Sequence, residues 1–181
     1  GTKEVHIVKG NHDGGIEHIV PKGVKVHGSE GFVWEGLGLF HGHTWPSENV
    51  MRAKVVLMAH IHPKVKLYEG RFSFVTEPCW LRGKWRGLAK GLAKSMGNEL
   101  GNGLVKGLGK KRYENVDLDA DVIVMPAYNE YLGGSAVNDT CNKLIGPVLA
   151  NGLFDLENAS VYLLDGTYLG EVGSLIMKND K

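Results

Sequence analysis

All eight histidines of this 181-residue chain fall within its first 62 residues. Most of them sit in three short blocks: Gly10-Asn11-His12-Asp13, His41-Gly42-His43 and Ala59-His60-Ile61-His62-Pro63. Imidazole serves both as a metal ligand and as an acid–base group near neutral pH. Asn11 adds an amide oxygen, a neutral ligand suited to a hard or borderline divalent cation. His12 is a candidate general acid if it sits over a bound substrate, and Asp13 is a candidate to hold it in one tautomer. His60 and His62 are two apart, which on a strand places both on one face. They could then reach one metal ion, or one each of a pair roughly 3.5–4 Å apart. His41 and His43 share that spacing.

Each block follows a short apolar run that reads as a strand: Val5 to Val8, Leu37 to Phe40, and Val55 to Met58. Side chains at the ends of neighbouring strands can converge from distant parts of the sequence. One strand-end histidine is more often a hydrogen-bonded structural residue. Three such blocks after three strands point to a metal site. The last run is continuously apolar, as expected of a strand buried on both faces. Val24 to Val26 and Phe32 to Trp34 are further strands, and Ser47 caps a short helix to Met51. Val65 to Tyr68 and Phe72 to Val75 predict a hairpin about Glu69-Gly70. Val161 to Leu164 and Thr167 to Leu169 predict another about Asp165-Gly166. Asp121 to Met125 is a buried-type strand ending at Pro126. His6 is expected in the core or behind the site, and His18 and His27 at the surface. Trp34 and Trp45 are expected in the core and at a cleft rim.

The length suits one domain, residues 1–181, with a real core. The net charge of +1 implies no acidic partner by itself. Cys79 and Cys141 are too few for a disulfide framework and are expected as reduced, buried thiols, which fits a cytoplasmic location. No apolar run reaches the ~18 residues of a transmembrane helix, and the opening Gly1-Thr2-Lys3-Glu4 is not read as a signal peptide.

Residues of about 82–114 change character. Nine Lys/Arg, one acid and eight glycines lie between Arg82 and Arg112. Leu88, Leu92 and Met96 recur at helical spacing, so the stretch is expected to be a basic helical insert. Its cations, among them Lys84, Arg86, Lys90, Lys94, Lys110, Lys111 and Arg112, are candidates for nucleic-acid binding. Trp80 and Trp85 are candidates for base stacking. The same stretch also suits an anionic membrane surface, or simply a helical cover with a solvated face.

Taken in order, Gly-Asn-His-Asp, a strand-end His41 and Ala-His-Ile-His resemble motifs of the calcineurin-like metallophosphoesterase superfamily. Pro63 and the later Pro126-Ala127-Tyr128-Asn129 with Gly133-Gly134 resemble a prokaryotic branch that includes phosphoesterases associated with DNA ligases. The motifs cover residues 5–63, and the remainder matches loosely. The resemblance implies an α/β fold, a layered sandwich of two mixed β-sheets flanked by helices. It implies metal-dependent hydrolysis of phosphoric esters, chiefly phosphodiesters, at two divalent ions (Mn, Fe, Zn or Ni). Asn11, His41 and His60 would hold one ion and His62 the other, with His12 as general acid oriented by Asp13. His43 would lie behind the ligands or on the substrate side. Ala59 stands where the family usually has Gly. The family's Asp-x-His and Gly-Asp motifs, which supply further ligands and the carboxylate bridging the metals, do not occur ahead of Asn11. The expectation is that they and their strands belong to a preceding segment and that this chain alone holds one ion or none. The alternative is an inactive binding or scaffold module, using the basic insert for nucleic acid.

Overall fold

β-Branched residues crowd the run from Val55 to Met58, and the computed structural model makes it the strand β5 at the middle of the main sheet. The structure describes residues 4–70, 73–86, 113, 120–129 and 131–177. On one side β5 pairs in parallel with β4 (Leu37–Leu39), in the register Leu39↔Leu57. On the other it pairs in parallel with β8 (Asp121–Val124), in the register Met58↔Val124. All three strands therefore end on one edge of the sheet. Val56, Met58, Val122 and Val124 are buried, whereas Val55 and Leu57 stay partly exposed. The expected burial of β5 on both faces is thus met on one.

Antiparallel strands complete an eight-stranded mixed sheet, ordered β10-β9-β7-β8-β5-β4-β3, with β6 attached to β7. These are β3 (Phe32–Trp34), β6 (Lys64–Tyr68), β7 (Phe74–Lys84), β9 (Ser160–Leu163) and β10 (Tyr168–Glu171). A separate two-stranded sheet pairs β1 (Val5–Val8) in parallel with β2 (Val24–His27). Among the described residues the chain is therefore α/β with few helices; its second sheet is purely parallel. Among the described residues two single-turn α-helices pack on the core. The helix α1 (Glu48–Met51) has Ser47 as its cap, with Oγ accepting from Val50 N at 3.4 Å, and it buries Val50 and Met51. The helix α2 (Pro147–Ala150) buries Val148 and Leu149.

The hairpins form where the turn residues demand them. Glu35 and Gly36 both take positive φ between β3 and β4, the pattern of a type I′ turn. Asp165 Oδ1 accepts from Thr167 N at 2.9 Å in the β9–β10 turn. The β6–β7 hairpin also forms, but β7 runs 11 residues, far beyond Val75. Pro78 lies where β7 exchanges partners: β6 pairing ends at Lys64↔Pro78, and β9 pairing begins at Cys79↔Leu163. A residue without an N–H fits that interruption.

This corrects the boundary of the basic insert. Residues 82–84 are strand, and Trp85 bridges to Phe154 and is buried, so it is no base-stacking surface. Lys84 pairs with Asp121 at 3.3 Å and Arg86 with Asp155 at 2.7 Å. The helical pattern of Leu88, Leu92 and Met96, with Lys90, Lys94, Lys110, Lys111 and Arg112, lies outside the described residues. Three further expectations are corrected: Trp34 is exposed at an edge strand, Cys141 is exposed on a turn, and His27 is partly covered by Phe32. Among the described residues no helix is long and apolar enough to cross a membrane.

Candidate metal centre

The parallel ladder continues past the strands and carries the histidine blocks with it. Phe40 N donates to Leu57 O, and Ala59 N donates to His41 O at 3.1 Å. On the far side, Met125 N donates to Met58 O at 2.7 Å. His41 and His60 are thus fixed side by side at the carboxyl edge of β4 and β5. Neither His-x-His pair lies on a strand, which corrects the expected one-face geometry. His60 (φ 60) and His62 (φ 46) both adopt left-handed backbone, at a cost of order 1–3 kcal/mol each. Ile61 between them is buried at 2% exposure. Its insertion into the core secures this strained turn, while both flanking imidazoles stay partly exposed.

Three donor atoms converge there. His41 Nε2 stands 3.1 Å from Asn11 Oδ1 and 3.2 Å from His60 Nδ1. Ligands about 2.1 Å from a common ion stand roughly 3.0–3.4 Å apart, so this spacing fits one divalent cation. Protonation state fits as well. Burial first, then the neighbouring His60 and His43 imidazoles, holds His41 down to about 4, against a smaller raising pull from Asp13. Burial, then His43, His62 and His12, lowers His60. Both rings are therefore neutral at pH 7 and offer lone pairs, as ligation requires. Among the described residues no three His, Cys, Asp or Glu form a group able to hold a metal. The set reaches three donors only by counting an amide oxygen, and it contains no carboxylate.

The other site residues surround this group. His62 Nδ1 lies 3.1 Å from Gly133 O. A carbonyl accepts only, so Nδ1 carries a hydrogen toward it and Nε2 is the ring nitrogen left to ligate, the usual orientation of a ligating histidine. His43 meets His41 edge-on at 5.0 Å between ring centroids. Its Nδ1, like Thr44 Oγ1, is buried without a hydrogen-bond partner among the described residues. His12 is exposed. Asp13 Oδ2 accepts from Gly10 N at 2.7 Å and so clamps the turn after β1. Among the described residues no hydrogen bond joins Asp13 to His12.

Two glycines that the sequence did not single out as positioning residues bring the backbone this close. A Cβ on Gly134 would lie 2.1 Å from His62 O, and one on Gly146 (φ 83) would lie 2.4 Å from Gly42 O and 3.3 Å from His60 Cδ2. The available signals were the Gly133-Gly134 pair and Gly146 directly before Pro147.

The remaining histidines form a different structure. His6 Nδ1 lies 2.9 Å from His27 Nε2, and His6 Nε2 lies 3.3 Å from Glu4 Oε2. The His27 ring stacks on Phe32 with centroids 3.5 Å apart, and His6 stacks beside it against Phe32 and Trp34. His18 is exposed, as expected.

No family model matches the chain, and no curated protein matches it. Among solved structures it is similar to the nuclease MPE of Pseudomonas putida, at 19% identity and a TM-score of 0.40. The alignment covers 88% of this chain and 50% of that one, so this chain spans about half the length of that protein.

Proposed function

We propose that this chain is the histidine-bearing part of a metal-dependent phosphoesterase that hydrolyses phosphodiesters. The observation that carries this reading is the placement of Asn11 Oδ1 at 3.1 Å and His60 Nδ1 at 3.2 Å from His41 Nε2, at the ends of β1, β4 and β5. Asn11, His41 and His60 would hold one cation, and His62 would ligate a second through Nε2. The chemistry a divalent cation supplies when bound is polarisation of phosphoryl oxygens and a lowered pKa for water. His12 stands exposed in the loop after β1, where it would give a proton to the leaving-group oxygen, an effect worth roughly 10²–10⁴ in rate. Asp13 would serve it by holding the loop through Gly10 N. Lys84 and Arg86 enter this reading only as paired cations; a nucleic-acid role would fall to the other Lys and Arg of the basic stretch.

The experiment compares metal content with hydrolysis of bis(p-nitrophenyl) phosphate in the presence of Mn²⁺. His12→Ala is expected to lower turnover far more than metal content, whereas Asn11→Ala and His60→Ala strip metal and activity together. Equal loss of both in His12→Ala would remove the general-acid role. Among the described residues no carboxylate joins the donor set, which favours a second reading, a non-catalytic binding module. Metal binding without any hydrolysis would select it.

A further inference from the structure

The loop after β8 carries two tyrosines that the proposed chemistry does not use. Tyr128 is 106% exposed and Tyr131 is 89% exposed. Tyrosine is ordinarily at least partly covered, and among the described residues neither ring stacks on another. The loop is nevertheless well fastened. It leaves the sheet beside β5, where Met125 N donates to Met58 O. Within it, Tyr131 N donates to Asn129 Oδ1 at 3.0 Å, and Leu132 N donates to Asn129 O at 3.1 Å. It returns where Gly133 O meets His62 Nδ1 and Ser135 N donates to Ile61 O. The returning contacts are to the histidine turn and the outgoing one is to the end of β5, so both ends of the tyrosine-bearing loop are fastened beside the candidate centre. Tyr131 lies two residues from Gly133, at most about 7 Å of chain.

We propose that Tyr128 and Tyr131 form an aromatic subsite that stacks a nucleobase of the phosphodiester whose phosphate meets the histidines. This rests on the phosphoesterase reading and narrows its substrate to nucleotide diesters. Residues 126–142 contain no Lys or Arg, so the loop offers a phosphate backbone or an anionic membrane no counter-charge. What it offers is planar rings, whose faces suit any base.

The test uses two diesters with the same p-nitrophenolate leaving group: thymidine 5′-(p-nitrophenyl phosphate), which has a base, and methyl p-nitrophenyl phosphate, which has none. Tyr131→Ala and Tyr128→Ala are expected to lower the ratio of kcat/KM for the thymidine ester over the methyl ester by about 5- to 100-fold. The loss should appear in KM, and Tyr131→Phe should restore the ratio. An unchanged ratio in both alanine variants overturns the subsite. If the unaltered protein hydrolyses neither ester, the hydrolytic reading fails separately. Fluorescence anisotropy with labelled oligothymidylate and an abasic oligomer of equal length then decides the stacking. Tighter binding of the oligothymidylate, lost in Tyr131→Ala, supports it; equal affinity of the unaltered protein for both oligomers refutes it.

Discussion

Two groups of histidines sit on this molecule, and they are built on opposite principles. His6 and His27 lie in the regular strands β1 and β2, each ring stacked on Phe32. Their nitrogens answer one another: His6 Nε2–H donates to Glu4, and His6 Nδ1 accepts from His27 Nε2–H. His41 and His60 lie beyond their strands. His60 is in left-handed backbone, and His41 Nε2 stands within hydrogen-bond distance of both Asn11 Oδ1 and His60 Nδ1. The first group satisfies itself. The second stores strain at His60 and places His41 Nε2 against two further polar atoms, Asn11 Oδ1 and His60 Nδ1, an arrangement suited to a shared cation once the ring nitrogens face it as lone pairs. Histidine content alone does not separate the two; backbone conformation and the direction of the nitrogens do.

The largest expected effect breaks this comparison at its metal affinity. His60→Ala should weaken Mn²⁺ binding, measured by calorimetry, by more than about 100-fold, beyond what the loss of a group behind a ligand costs. His6→Ala should leave it unchanged. Equal losses would mean that the two groups do not differ in kind.

Next in size is the packing around the strained turn. Gly146→Ala adds a Cβ 2.4 Å from Gly42 O at a positive φ, and Gly134→Ala adds one 2.1 Å from His62 O. Each should cost about 1–3 kcal/mol and lower Tm by roughly 3–10 °C. Gly36→Ala, at a turn with open space around it, controls for left-handed backbone without a clash and should lose less.

Acid should act on the metal-free centre next. His41 is held down to about 4 in the folded chain, against about 6.5 unfolded. The unfolded state therefore binds the extra proton between those values. The stability His41 contributes is fully present above pH 6.5 and is lost as pH falls through about 4. Chemical denaturation of the metal-free protein at pH 7 and pH 4.5 should show this loss, with a smaller loss in His41→Asn. A difference of the same size in His41→Asn would assign the effect elsewhere.

The smallest effect belongs to the stacked pair. His27→Phe keeps the ring on Phe32 and removes the bond to His6, which should cost about 1 kcal/mol. Thermal melts should fall by only a few degrees, with Mn²⁺ affinity unaffected.

Much of this arrangement was legible in the sequence, because strands and turns are local. Val55 to Met58, Asp121 to Val124 and the turns at Glu35-Gly36 and Asp165-Gly166 follow from β-branched runs and residues suited to positive φ. So does the placement of each histidine block at a strand end. The conformation at His60 and His62 was not legible. A two-residue spacing implies one face only if the strand continues, and here the core takes Ile61 instead. The length of β7 was hidden because Pro78 and Gly83 look like breaks. Pro78 is tolerated where pairing partners change and Gly83 where the Phe154 ring crowds the strand, both facts of the whole sheet. The burial of Trp85 and the exposure of Trp34 likewise depend on which strand forms the edge. The need for glycine at 134 and 146 arises from contacts with His62 and Gly42, about 70 and 100 residues away in sequence.

The most direct test is anomalous diffraction from crystals soaked in Mn²⁺. An anomalous peak is expected at roughly 2.0–2.3 Å from Asn11 Oδ1, His41 Nε2 and His60 Nδ1 together. A peak at His6 and His27, or no peak with the ion in excess, would contradict the assignment of the strand-end histidines as the metal centre.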